Sequence, residues 1–336
     1  MVGKYLGYVQ QNDSLYEFLQ RLLRDRFGIH HVHPAFRVFR LSGSNEVYAY
    51  EEKFTGICMI GKFFGTMFGW DRDKAVAKAS QEYESLQTLR GYNLVGSPHH
   101  VIQPLGLNPD INCVLALEYY SGEQFSHAIR RCIFNGDCGH LYYRLKALAY
   151  FLATQHIRTT NDNGVDFDSD RRYFRRVIGT LKNGRRVEQC DVDELSWLSD
   201  LWQDRSQMWD DNQVWLHGDA TPANFLFGGG MDVAAIDLER MKRGDRMFDV
   251  GRIAGELQHA FMVGTGDKFR AEPFIGHFLW EYSCHFPDKQ ATFHSITKRN
   301  PYYMALNLLR IARNDYITSD YSGKLVTQAK ELMRAY

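Results

Sequence analysis

Leucines and aromatics recur at helical spacing over residues 14–27, SLYEFLQRLLRDRF, and predict a leading helix with one apolar face. From about Ala35 to Phe64 the period shortens. FRVFRL, VYAYEE and GICMIGKFF read as three short strands, with Ser42-Gly43-Ser44-Asn45 and Thr55-Gly56 as the turns. GTMFGWDRD reads as a loop, followed by a helix over about 74–90, and two further strands fit 100–107 and 113–119. Beyond Gly122 the pattern is mostly helical, interrupted by the short apolar runs VWL, NFLF and VAAIDLE. Strands first and helices later predict an α+β chain, with a small sheet-rich lobe over 1–119 and a larger helical lobe over 120–336.

Composition narrows the class. At 336 residues the chain is long enough to bury a large core without disulfides or metal staples. Its 40 basic and 40 acidic residues cancel, so no whole-protein attraction to nucleic acid or anionic membrane is expected. No apolar run approaches a membrane span, and MVGKYLGYVQQNDS lacks the apolar core of a secretion signal. The six cysteines are scattered, and the reading is reduced thiols in a cytoplasmic protein. Cys132, Cys138 and His140 lie close together, but their spacing matches no common zinc pattern.

The chemistry concentrates in VWLHGDATPANFLFGGGMDVAAIDLE. Asp219 is followed by Asn224 five residues on, and an apolar strand then ends in Asp237 and Glu239, which an extended segment would put on one face. Phosphoryl transfer from a nucleotide needs a carboxylate to orient the attacking hydroxyl and oxygen ligands for Mg²⁺. Asp237 is the better metal ligand, with Glu239 either a second ligand or structural. His217 reads as a buried histidine that positions its neighbours, and Asp249 as a helix cap or an acceptor for N–H groups of the loop.

Upstream residues extend the pattern. Lys62 lies in the apolar strand CMIGKFF, where an ammonium needs a charged partner. Ala75, Ala79, Glu82, Leu86 and Leu89 recur on one helical face, so Glu82 rather than Glu84 is the expected partner. The turn Ser42, Gly43, Ser44 precedes Lys62 by one hairpin and could bring backbone N–H groups to phosphate. The strand ending at Glu118 runs into a polar segment, where Glu118 and Tyr120 could offer backbone groups to a base edge.

Taken together, HGDATPAN, IDLE and GDRMFDVGRIA resemble the aminoglycoside phosphotransferase and choline kinase group of small-molecule kinases, over roughly residues 36–256. The resemblance implies a bilobal protein-kinase-like fold and MgATP or MgGTP as donor. It also implies that Asp219 orients the acceptor hydroxyl, that Asn224 and Asp237 bind magnesium, and that Lys62, held by Glu82, touches phosphates. The expected partners are a nucleotide and a hydroxyl-bearing small molecule such as an antibiotic, sugar or amino alcohol. From Ser121 onward 28 acidic and 28 basic residues balance, which gives little support for a polycationic acceptor. Arg172, Arg175 and Arg176, next to Arg171, share a helical face that could meet a polyanion. The aromatics Tyr142, Tyr143, Trp197, Trp202, Trp209, Tyr302 and Tyr303 are candidates for the acceptor pocket or for core. A macromolecular acceptor (RNA or protein) and a catalytically silent nucleotide-binding scaffold are the alternatives.

Overall fold

The computed structural model describes residues 3–41, 46–65 and 71–335; the predicted turn at Ser42–Asn45 and most of the predicted loop over 65–73 fall outside them. The chain forms two compact units. The first comprises 1–96, 100–121 and 234–240, the second 97–99, 122–233 and 241–336.

In the first unit, α1 (Ser14–Phe27) starts where the Asp13 side chain accepts the Leu15 N–H at 2.9 Å, and ends at left-handed Gly28, φ 68°. Strands β1 (Lys4–Tyr8), β2 (Phe36–Arg40), β3 (Glu46–Glu52) and β4 (Cys58–Phe63) are followed by α2 (Arg72–Gly91), β5 (Val95–Gly96), β6 (His99–Val101), β7 (Pro104–Asn108) and β8 (Val114–Glu118). Six of these strands form one antiparallel sheet in the order β1-β2-β3-β4-β8-β7. Leu15, Phe18, Leu19, Leu22 and Leu23 of α1 pack with Phe36, Tyr50, Met59, Phe63, Leu105 and Val114 of the sheet. Burial at roughly 1.5–3 kcal/mol for each large side chain makes that interface the unit's main support. The sequence pattern does not predict β1, whose residues are mostly exposed and so lack an apolar alternation. The strand expected over 100–107 is divided, because β6 and β7 pair in different sheets: β6 ends at Val101, and β7 begins at Pro104, which pairs with Leu117 of β8.

The second unit is chiefly helical: α3 (Phe125–Asn135), α4 (Cys138–Thr159), α5 (Phe167–Asn183), α6 (Gln189–Gln203), α7 (Met247–Thr265), α8 (Glu272–Ser283), α9 (Lys289–Ala312) and α10 (Ser319–Arg334). Short antiparallel pairs join β9 (Glu123–Gln124) to β11 (Phe225–Phe227), and β10 (Val214–Leu216) to β13 (Lys242–Gly244). Strand β12 (Val233–Ala235) leads back into the first unit. On α7, Gly251 lies so close to α9 that a Cβ there would collide with Tyr303. One expectation fails here. Gly136, φ 74°, ends α3 and turns the chain into α4, bringing the Cα atoms of Cys132 and Cys138 to 4.4 Å, and the two cysteines are joined in a disulfide rather than held as thiols. Cys58, Cys113, Cys190 and Cys284 remain free. Among the described residues, no helix is long and apolar enough to cross a membrane.

Candidate active site

Alternation along β4 turns Met59 and Phe63 toward the α1 core and Lys62 toward the opposite face. There Lys62 Nζ lies 2.6 Å from Glu82 Oε2, 2.7 Å from Asp237 Oδ1 and 3.9 Å from Glu239 Oε2. The partner on α2 is Glu82, which is fully buried, whereas Glu84 is exposed. Burial alone would weaken the Lys62 ammonium, but the charges of Glu82 and Asp237 hold its pKa above the ordinary lysine range. Burial, helped by Asp237 and Glu239, pushes the Glu82 carboxyl up despite Lys62. Three carboxylates thus share one ammonium.

Asp237 reaches this cluster by a route that alternation does not foresee. β12 stops at Ala235, and Asp237 adopts left-handed backbone, φ 64°, instead of continuing an extended segment. For a residue with a Cβ that conformation costs about 1–3 kcal/mol, and aspartate tolerates it better than most. Asp237 and Glu239 therefore do not share a strand face, but the turn still gathers them: carboxylate oxygens of Glu82, Asp237 and Glu239 lie within 4.8 Å of one another. The donors are hard oxygens and fit Mg²⁺. Asp237 and Glu239 are partly exposed and could hold the ion, while Glu82 is buried against Lys62.

The Glu118 N–H donates to Gln103 O at 2.9 Å, and its carboxylate accepts the Gln103 N–H at 2.9 Å and pairs with His100 Nε2 at 2.9 Å. Burial would raise this carboxyl, but His100 and the Gln103 N–H hold it below the usual range. Tyr120 stacks on His100, ring centroids 5.6 Å apart. The predicted phosphate turn Ser42, Gly43, Ser44 lies outside the described residues.

In the second unit the segment from His217 to Asn224 is tied down by backbone bonds. Asp249, on the first turn of α7, accepts the His217 N–H at 2.6 Å and the Gly218 N–H at 3.0 Å, and His156 Nε2 stands 3.5 Å away. Burial would raise the Asp249 carboxyl, but His156, His217 and these N–H groups keep it below the ordinary aspartate value. Gly218 takes φ 77°, which favours glycine. His217 is buried and its Nδ1 accepts the Asp219 N–H at 3.3 Å, a positioning role. Asn224 Nδ2 donates to Asp219 O at 2.8 Å.

Asp219 itself is held by two arginines. Arg252 Nη1 donates to Asp219 Oδ1 at 2.6 Å and to Gly218 O at 2.8 Å; Arg310 Nη2, from α9, reaches Oδ1 at 3.2 Å. Asp219 is 19% exposed, and among the described residues its carboxylate bonds all fall on Oδ1. Sequence reasoning missed both arginines. Arg252 stands one helical turn beyond Asp249, a spacing that could have flagged it. Arg310 is 91 residues from Asp219 and carries no local signal.

The arginines of α5 go separate ways. Arg171 is buried and pairs with Asp168 at 3.0 Å and with Asp200; Arg172 pairs with Asp166 at 3.1 Å and Arg175 with Asp200 at 3.0 Å. Arg176 instead lies over the Tyr173 ring, 5.5 Å from its centroid. The shared cationic face expected for a polyanion is therefore largely neutralised. Trp202, Tyr302 and Tyr303 are core, whereas Trp197, Tyr143 and Trp209 are exposed. The aromatics nearest the Asp219 arginines are Tyr173 and Phe248, which the sequence pattern did not single out.

An antiparallel-sheet first unit with a strand lysine and helix glutamate, and a helical second unit carrying the HGD loop, define a protein-kinase-like fold. Residues 70–284 match the family described as phosphotransferase enzyme family, and the chain belongs to it. Among solved structures it is similar to the ethanolamine kinase of Plasmodium vivax, at 11% identity and TM-score 0.61 over 97% of this chain and 92% of that one. The choline kinase of Cryptosporidium parvum gives the same identity and TM-score over 95% of each chain. The aminoglycoside phosphotransferase APH(2")-IIa, in a ternary complex with streptomycin and ATP, gives 12% and 0.55 over 97% and 99%. No curated protein sequence matches significantly.

Proposed function

We propose that the chain transfers the γ-phosphate of MgATP or MgGTP to a hydroxyl of a small molecule. The observation that carries this reading is the fixed Asp219 carboxylate, with Oδ1 held by Arg252 and Arg310 and Oδ2 left to orient an acceptor hydroxyl. In the transfer the hydroxyl oxygen bonds to the γ-phosphorus, the bond to the nucleoside diphosphate breaks, and the hydroxyl proton leaves by way of Asp219. Lys62 keeps its charge through Glu82 and is the group for the donor's phosphates. Asn224 and Asp237 are the magnesium ligands by the sequence pattern, with Glu239 beside Asp237. Magnesium, when bound, neutralises phosphate oxygens and orients the chain of phosphates. Because the Glu118 N–H is engaged with Gln103, its carbonyl is the group left for a base edge, together with the backbone at Tyr120.

The small-molecule reading is favoured over nucleic acid because Arg171, Arg172 and Arg175 are paired within the protein. The decisive test is Asp219→Asn. Acceptor-dependent nucleoside diphosphate release should fall by about a thousandfold or more, while the nucleotide-induced shift in melting temperature stays at the wild-type value. Full activity in that variant would refute the assigned role.

A further inference from the structure

Beside Asp219, Tyr173 of α5 and Phe248 of α7 pack ring against ring, centroids 5.7 Å apart. Four cations surround the pair. Arg176 stands 5.5 Å, Lys242 5.8 Å and Arg310 5.9 Å from the Tyr173 centroid; Lys242 stands 4.0 Å and Arg252 5.6 Å from that of Phe248. Four carboxylates lie near them, but among the described residues none is within ion-pair distance of Arg176. Asp219 takes Arg252 and Arg310, Asp249 also acts on Arg252 but is engaged by the His217 and Gly218 N–H groups and His156, Asp170 lies 3.5 Å from Lys242, and half-buried Glu256 is bonded to Asn307 Nδ2 at 3.2 Å. Burial raises the carboxyls of Asp170, to about 6, and of Glu256, which weakens them as counter-charges. Two guanidinium N–H groups in the cluster, Arg252 Nη2 and Arg310 Nε, are buried with no hydrogen-bond partner among the described residues. A site of this kind wants acceptor oxygens and negative charge.

We propose that the acceptor is an anionic hydroxyl compound, bearing a carboxylate or a phosphate, which Arg176, Lys242 and Arg310 hold beside Asp219. The inference rests on the kinase reading above and selects within it. An aminoglycoside, choline or ethanolamine would bring positive charge beside Lys242 and an Arg176 that no carboxylate pairs among the described residues. Tyr173 and Phe248 offer an apolar platform for the body of the acceptor, and the cations fix its charged end. Arg176 and Lys242 are specificity residues, and no step of the transfer passes through them.

The test offers the purified chain MgATP and MgGTP with hydroxyl compounds in four groups: hydroxycarboxylates, sugar phosphates, neutral sugars and polyols, and cationic amines including aminoglycosides. One of the two anionic groups should exceed the cationic group in kcat/KM by about tenfold or more, the effect of a single charge contact near 1.4 kcal/mol, and which one does so tells carboxylate from phosphate. In the Arg176→Gln Lys242→Gln double variant the KM for that acceptor should rise about tenfold. Cationic or neutral acceptors used as well as the anionic ones would overturn the inference. If no group accepts phosphate, the kinase reading fails on its own, and binding decides the charge question. Inorganic phosphate, but not spermidine, should raise the melting temperature of the wild type, and the double variant should lose that response. An unchanged phosphate response in the variant, or stabilisation by spermidine, would overturn the anion site. Arg176 is exposed, so Arg176→Gln alone provides the same comparison if the double variant does not fold.

Discussion

The Lys62 and Asp219 clusters are built from the same kinds of side chain in inverted proportion. Around Lys62, three carboxylates converge on one buried ammonium. Around Asp219, two guanidiniums converge on one carboxylate. Each cluster is incomplete in charge, and in opposite senses. A surplus of carboxylate suits a divalent cation arriving with a polyphosphate, and a surplus of guanidinium suits an anion. The two also differ in what fixes them. Lys62 is held by side-chain ion pairs from α2 and the turn at Asp237, whereas Asp219 is held largely through backbone N–H and C=O groups that Asp249 and Arg252 organise. Substitutions in the first cluster should act chiefly on nucleotide and metal affinity, and those in the second on the loop itself.

The largest contrast should come from Asp237→Ala. Removing this half-buried member of the carboxylate trio should abolish the magnesium-dependent part of the nucleotide thermal shift and lower turnover by about a thousandfold, near 4 kcal/mol. A wild-type magnesium response would separate Asp237 from the metal. Asp249→Ala should cost about 3 kcal/mol in chemical denaturation, because it strips two buried N–H groups and His156 of their partner. The same carboxylate sets an acid response. Its folded pKa lies below the ordinary aspartate value of 3.8, so between the two values the unfolded chain binds more protons and stability rises with pH. The contribution is fully present above about pH 5 and is lost as pH falls through the folded value. Asp249→Asn should flatten that part of the acid unfolding curve, and an unaltered curve would remove Asp249 from the account.

Smaller, and aimed at the first cluster, is Glu82→Gln. The amide keeps the shape but removes the charge from Lys62, and the nucleotide KM should rise about tenfold, near 1.4 kcal/mol, with little change in the loop at Asp219. Glu84→Gln is the matched control. Its side chain is exposed, and stability and KM should stay within about 0.5 kcal/mol of wild type. Equal effects from the two glutamates would erase the distinction between a buried partner and a surface charge.

Much of this arrangement was legible because it is periodic or local. Helical spacing set Glu82 among Ala75, Ala79, Leu86 and Leu89, and the same stripe is buried in the structure. The α1 helix spans the residues its leucine pattern implies. The HGD segment and its step to Asn224 lie within one loop, so spacing alone could associate them. Legibility failed where a feature depended on long-range pairing or on backbone handedness. The extended run assumed for Asp237 and Glu239 is broken by a left-handed residue, which alternation cannot register. β1 is defined by pairing with β2 and shows no burial pattern of its own. The Cys132–Cys138 bond follows from the turn at Gly136, although composition suggested free thiols.

The sequence by itself determined the class of fold and the candidate groups for chemistry, since strand and helix periods and short motifs are properties of neighbouring residues. Tertiary structure decided the charge environment of those groups. Arg310 meets Asp219 across 91 residues, and Asp237 meets Lys62 across 175. A balanced total of acidic and basic residues is compatible with any of these local imbalances, because electrostatic energy depends on separation and burial, and neither is recorded in the order of the chain.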